Sequence, residues 1–296
     1  MCNEMSALLE DYFPQALAKL VELAAYIKPQ IELQKYERTV IDSTGRIWQG
    51  SNDNSMKKLQ GLLPVQSLAD INTDFITLDG NLARLIAGVL IPLEPAIDLI
   101  PVDNIDGGIF GTHYVTSTGQ LYSRLTDELT ETPEPIVQIA AGFLKVYLLT
   151  VSGRTIIFKL DNGTIIFTDN TTDTVKIHLY RGRGNLECLQ LKIDGSFRIM
   201  SHDGTIRSLI LSIPEEFYRV IDFAIYQNTI VVVNMFNKLA IVYEDSSSPS
   251  EILPGYVVSF GIEYGLVSIV TKEGRIMYRE ADSDVFVTIP RVKLLY

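Results

Sequence analysis

Three histidines, two cysteines and a loose group of aspartates are the side chains from which a reactive centre would have to be built. His113, His178 and His202 stand far apart, and none has another His, a Cys or paired carboxylates at the short spacing that zinc sites use. No Gly-x-Ser-x-Gly elbow occurs, and Cys188 has no activating partner nearby in sequence, so nucleophilic catalysis finds no support. Cys188 lies in the apolar run 186–191 and reads as a core thiol. Asp98, Asp103 and Asp106 form the densest local carboxylate group. A calcium loop needs oxygen ligands at alternating positions, and the interval from Asp103 to Asp106 does not supply them. This group reads as a solvated acidic loop. Arg181-Gly182-Arg183-Gly184 could form an anion-binding nest, but reads more simply as an exposed turn. The expectation is no catalytic residue, no metal site and no cofactor.

Charge narrows the partners. The chain of 296 residues carries a formal net charge of −11 and a pI near 4.8. Nucleic-acid binding rests largely on phosphate neutralisation, and no basic cluster larger than Arg181-Gly182-Arg183 exists to provide it. An acidic surface suits a protein partner, a basic one in particular. The apolar runs fall short of the roughly 18 residues of a membrane helix, and Pro92 and Pro95 interrupt the longest. Glu4, Glu10 and Asp11, with no early Lys or Arg, give the N-terminus the wrong polarity for a secretory leader. An intracellular, cytoplasmic protein is expected, in which the sequons at Asn162 and Asn170 go unused. Cys2 and Cys188 offer no disulfide framework.

The elements that must position any site follow from a phrase that occurs seven times: strand, tight turn, strand. The copies are DSTGRIW (42–48), TLDGNLA (77–83), TSTGQLY (116–122), VSGRTII (151–157), KIDGSFR (192–198), MFNKLAI (235–241) and TKEGRIM (271–277). Their turn residues are Gly45, Gly80, Gly119, Gly153, Gly195, Asn237 and Gly274, at intervals of 35, 39, 34, 42, 42 and 37. A hairpin period of this length points to a β-propeller. Asp161-Asn162-Gly163 and His202-Asp203-Gly204 add a second hairpin to two repeats, as four-stranded blades require. The strands read most clearly are Phe75–Leu78, Val146–Val151, Leu189–Ile193 and Leu266–Thr271. The fold expected is therefore all-β, a seven-bladed propeller over residues 31–296, with six blades the alternative if the Gly80 copy is not a blade. Residues 92–111, 126–135 and 244–251 read as loops within that array. Residues 1–30 form a separate helical segment. Leu8, Leu9, Tyr12, Phe13, Leu17, Leu20, Val21, Ala24 and Ile27 recur at helical spacing, and Pro29 ends the pattern. Leu9, Phe13, Leu17, Leu20 and Val21 make a stripe that can cap the propeller, dock a partner or drive self-association. A ring must hide its two edges, so the segments Ile31–Asp42 and Val285–Leu295 are expected to share one blade.

The phrase resembles the repeat of the regulator of chromosome condensation family. Gly45-Arg46-Ile47-Trp48-Gln49-Gly50-Ser51-Asn52 follows that family's turn, apolar, aromatic and Trp-Gly-x-Asn order, with Gln49 inserted. Gly119-Gln120-Leu121-Tyr122 and Gly274-Arg275-Ile276-Met277-Tyr278 keep the front half. The resemblance covers residues 38 to about 290 and implies seven blades. The family's closing Gly-Gln-Leu-Gly is missing from every copy, Thr155 replaces an apolar residue in the fourth, and Asn237 replaces Gly in the sixth. The family's nucleotide-exchange loops and basic chromatin surface find no counterpart among these residues. Ser201-His202-Asp203-Gly204-Thr205 is similar to a sialidase Asp-box, but its Gly follows Asp directly and the Trp is missing. The function expected is a non-catalytic interaction scaffold or a structural part of a larger assembly. The alternatives are a hydrolase or lyase with carboxylates at the channel mouth, and a carbohydrate-binding propeller, against which the single Trp48 counts.

Overall fold

In the computed structural model, the described residues are 30–33, 38–42, 44–50, 56–59, 62, 64–68, 74–93, 98–99, 113–123, 126–141, 145–159, 163–181, 186–213, 217, 219–243, 251–253, 255–263, 265–280, 283 and 285–289. The helical segment expected over residues 1–30 lies outside them but for Gln30. So do Asp103, Asp106 and the Gly182–Gly184 part of the basic turn.

Twenty-seven strands form seven antiparallel sheets, and no helix occurs among the described residues. Blade 1 holds β1 (Gln30–Leu33), β2 (Arg38–Ile41), β3 (Ile47–Gly50) and β4 (Met56–Lys58). Blade 2 holds β5 (Val65–Leu68), β6 (Asp74–Thr77), β7 (Leu82–Ile86) and β8 (Val89–Pro92). Blade 3 holds β9 (His113–Val115), β10 (Leu121–Ser123) and β11 (Glu128–Thr130). Leu99 bridges Thr116 in blade 3, at the place where the other blades have their first strand. Blade 4 holds β12 (Ile136–Ala141), β13 (Lys145–Thr150), β14 (Thr155–Lys159) and β15 (Thr164–Thr168). Blade 5 holds β16 (Thr174–Arg181), β17 (Leu186–Lys192), β18 (Phe197–Met200) and β19 (Ile206–Leu209). Blade 6 holds β20 (Val220–Tyr226), β21 (Thr229–Asn234), β22 (Leu239–Tyr243) and β23 (Glu251–Leu253). Blade 7 holds β24 (Val257–Glu263), β25 (Leu266–Thr271), β26 (Ile276–Glu280) and β27 (Val287–Thr288). The ring thus has seven blades, and the Gly80 copy is one of them. The stretch 126–135, read as loop, contains β11.

Alternate side chains of a strand point to opposite faces. Here both faces of a blade are buried, which explains why the central strands are apolar almost throughout. Val231 and Val233 of β21 pack toward blade 7, while Ile230 and Val232 pack toward blade 5. Tyr147 and Leu149 of β13 face blade 5, and Val146 and Leu148 face blade 3. Each of the seven seams has its own buried cluster. The seam of blades 5 and 6 is the largest, with Phe197 edge-on to Phe223 at 5.2 Å between ring centroids.

Ring closure differs from the expectation. Among the described residues no sheet combines strands from the two ends: blade 1 is built from residues 30–58 and blade 7 from 257–288. Among the described residues the two ends meet by packing. Val40 of blade 1 meets Val270, Ile276 and Ile289 of blade 7, with Trp48 and Tyr278 against them, and β1 lies beside β24. Among the described residues, the closing seam buries the same kind of cluster as the other six.

Candidate interaction face

The repeated phrase places one structure seven times. Gly45, Gly80, Gly153, Gly195, Asn237 and Gly274 lie between the second and third strands of their blades and Gly119 between β9 and β10, the equivalent pair in blade 3, with φ from +56° at Asn237 to +87° at Gly195. Asn tolerates this left-handed conformation better than other side chains do. In six of the seven blades the side chain three residues before the turn residue caps the turn. The Thr116 and Thr150 hydroxyls accept the Gln120 and Arg154 amides, and the Asn234 carboxamide oxygen accepts those of Phe236 and Lys238. Asp42 accepts the Thr44 and Arg46 amides on one oxygen and the Trp48 indole N–H on the other, at 3.0 Å. Burial opposes its charge, but these donors hold its carboxyl below the usual carboxylate range.

Five of the turns, at Gly45, Gly80, Gly119, Gly153 and Asn237, also stitch neighbouring blades through their carbonyls. The Gly45, Gly119 and Gly153 carbonyls accept the Val65, Ile136 and Thr174 amides, the opening residues of the next blade's first strand. The amides of Val151 and Ile193 donate to Pro135 and Asp173, just before their own blade's first strand. A Cβ added at Gly119 would stand 2.5 Å from the Pro135 Cβ, so this approach requires glycine.

These stitches bring two sets of side chains to one end of the ring. The first set is the residue two before each turn glycine. Leu78, Val151, Ile193 and Met235 occupy that place and are exposed, Val151 at 65 %, and Phe236 beside Met235 is exposed as well. The second set comes from β-bulges in the first strands, between Val65 and Ser67, Ile136 and Gln138, Thr174 and Lys176, Val220 and Asp222, and Val257 and Ser259. A bulge leaves one residue out of the ladder. Those residues are Gln66, Val137, Val175, Ile221 and Val258, and Val137, Val175 and Ile221 are exposed. The first strands β12, β16, β20, β24 and β1 lie side by side, so the bulges ring the central axis. Ile210 and Tyr256, on connectors reaching the same end, are also exposed, and Lys272 sits over the Tyr256 ring. Below this apolar rim polar side chains tie the inner strands together. Gln138 accepts the Ile177 amide at 2.8 Å, and Lys176 forms an ion pair with Asp222 of the next blade.

Among the described residues, the side chains first considered for chemistry are not gathered. His113 is on β9, His178 on β16 and His202 in the turn before β19. Burial holds the His113 imidazole below its ordinary value. Cys188 is fully buried on β17, and burial pushes its thiol far up. Asp98 accepts the Ser117 hydroxyl at 2.6 Å. Residues 201–205 form a hairpin turn in which Asp203 accepts the Thr205 amide. Among the described residues no group of three His, Cys, Asp or Glu could hold a metal ion, and no helix is long and apolar enough to cross a membrane. The apolar rim was missed in the sequence because its turn residues read as the last residues of strands.

The chain is a seven-bladed β-propeller. No family model matches it, and no curated protein matches it in sequence. Solved structures do. The computationally designed protein Ika8 superposes with a TM-score of 0.57 at 12 % identity, covering 88 % of each chain. PorZ, a surface component of the type-IX secretion system of Porphyromonas gingivalis, gives 0.60 at 13 % identity over 89 % of this chain and 38 % of its own. YCF48, solved bound to D1 peptide, gives 0.59 at 11 % identity over 86 % and 95 %. At these identities the likeness is one of fold. The resemblance to the regulator of chromosome condensation holds at the level of the propeller.

Proposed function

We propose that this protein is a non-catalytic interaction platform, and that its docking face is the end of the ring carrying the stitched turns. The observation that carries the reading is the exposure of Leu78, Val151, Ile193, Met235 and Phe236 on that face, together with the bulged Val137, Val175 and Ile221. Soluble proteins rarely leave extended apolar surface uncovered unless something binds there. The turns beneath are stitched and capped, so the face is preorganised and costs little ordering on binding. The partner is a protein that offers an apolar segment, and the net charge of −11 favours basic residues around it. YCF48, a neighbour in fold, is solved with a peptide bound. The likeness to the regulator of chromosome condensation contributes a disc that presents loops and carries no exchange activity into this reading.

The test is selection of displayed peptides on the full chain, followed by affinity measurement by fluorescence anisotropy. The double variant Val151→Asp/Ile193→Asp should bind the selected peptides at least about tenfold more weakly, a loss of about 1.4 kcal/mol. Ile165→Asp/Ile166→Asp on the exposed face of β15 should bind as wild type does. Equal affinity across all three proteins would refute the assignment of the face.

A further inference from the structure

Resting on the interaction face proposed above, we infer that its partner is a protein segment of two parts, apolar over blades 4–6 and rich in carboxylates over blades 6, 7 and 1. The residue after the turn residue is a cation in four blades: Arg46, Arg154, Lys238 and Arg275. In blade 4 the chain answers that charge itself, with Arg154 Nη1 2.9 Å from Glu134. Blades 6, 7 and 1 are consecutive around the ring. There Lys238, Arg275 and Arg46 are exposed and form no ion pair with any described residue. Their amides donate to the Asn234, Thr271 and Asp42 side chains, so their backbones are already fixed. Exposed Arg219 and Lys272 extend the arc. Arg219 donates to the Ile193 carbonyl at 2.6 Å and its own carbonyl accepts the Met235 amide, so it stands between two apolar turns. Lys272 Nζ lies 5.4 Å from the Tyr256 ring centroid. The arc therefore begins inside the apolar rim and runs out of it toward blade 1. In a chain of net charge −11 these five cations face two exposed turn carboxylates, Glu273 and Asp194. Asp194 already accepts the Ser196 amide and hydroxyl. The sign of the surface is thus reversed along the arc, and carboxylates complement it. Basic residues elsewhere on the partner suit the acidic remainder of the chain. A nucleic acid fits less well, because apolar turns adjoin the arc and the acidic remainder repels phosphate.

A displayed library tests this, built as an apolar run with randomised positions on either side and selected on the full chain. Asp and Glu should be enriched at the randomised positions; no bias, or enrichment of Lys and Arg, overturns the inference. In fluorescence anisotropy the enriched peptides should bind at least about fivefold more tightly than versions with Asn and Gln in place of Asp and Glu. That preference should disappear between about 0.1 M and about 1 M ionic strength, as the screening length falls from about 10 Å to about 3 Å. Lys238→Glu/Arg275→Glu should lose the preference or reverse it toward Lys-bearing versions. Cys188 should stay unreactive to thiol reagents in every variant, which certifies the ring. An unchanged preference in Lys238→Glu/Arg275→Glu overturns the inference. Peptides that weaken in Val151→Asp/Ile193→Asp but ignore charge leave the interaction face standing and remove its acidic end. A charge preference with undiminished affinity in Val151→Asp/Ile193→Asp removes the apolar face and leaves the arc. A labelled single-stranded oligonucleotide that outcompetes the peptides on wild type, but not on Lys238→Glu/Arg275→Glu, assigns the arc to phosphate and also overturns the inference.

Discussion

The stitched turn makes a quantitative claim about glycine. Gly119 and Gly88 have nearly the same backbone, φ +78° and +80°, but different surroundings. A Cβ at Gly119 would meet the Pro135 Cβ at 2.5 Å, its Cα at 2.8 Å and the Ile136 nitrogen at 3.0 Å. At Gly88, in the turn from β7 to β8, nothing lies within 4 Å. Both Ala variants incur about 1–2 kcal/mol for a side chain in the left-handed region. Both also gain the same few tenths from a less flexible unfolded chain, which cancels in the comparison. Only Gly119→Ala must push the neighbouring blade away, an overpacking cost of about 1–3 kcal/mol. At about 2 °C per kcal/mol for a chain of this size, Gly119→Ala should melt about 2–6 °C below Gly88→Ala. The assay is thermal unfolding followed by circular dichroism at one scan rate. Equal melting temperatures would refute the claim that the turn glycines are set by inter-blade contact.

Other outcomes follow from the same geometry. Phe223→Ala should lose about 3–5 kcal/mol in urea unfolding, because it empties a fully buried site edge-on to Phe197. The folded-state acidity of Asp42 is displaced downward. Its stabilising contribution should therefore be complete above the ordinary Asp range and fade as pH falls through the lowered value. Asp42→Asn should flatten that acid limb in a Trp48 fluorescence titration. Cys188 should react with a thiol reagent only after unfolding, measured in a Cys2→Ser background so that its thiol is the sole one. The exposed substitutions Val151→Asp and Ile193→Asp should each shift stability by no more than about 0.5 kcal/mol by urea midpoint, the range for surface positions.

The seven turns were legible in the sequence because two constraints coincide on one residue. Positive φ favours glycine or asparagine at all seven, and the approach of the next blade adds a demand for glycine at Gly45, Gly80, Gly119 and Gly153. The blade count followed from their spacing. Closure was not legible, since Val40, Val270, Ile276 and Ile289 look like any other core residues, and only their meeting across a seam shows what they do. The rim was hidden for a related reason. Leu78, Val151 and Ile193 continue apolar runs and read as strand ends, yet the structure sets each one past its strand and into solvent. Their constant place two residues before the turn glycine was the signal available. The bulges carry no sequence mark, because Val137, Val175 and Ile221 are ordinary β-formers.

The most direct test of the interaction face is a hydrogen-exchange footprint of the full chain with and without a selected peptide. The account expects slowed exchange in residues 150–154, 192–196 and 234–238, the turns that carry Val151, Ile193, Met235 and Phe236. Slowing confined to the opposite end of the ring, as in residues 201–205, with the stitched turns unchanged, would contradict it.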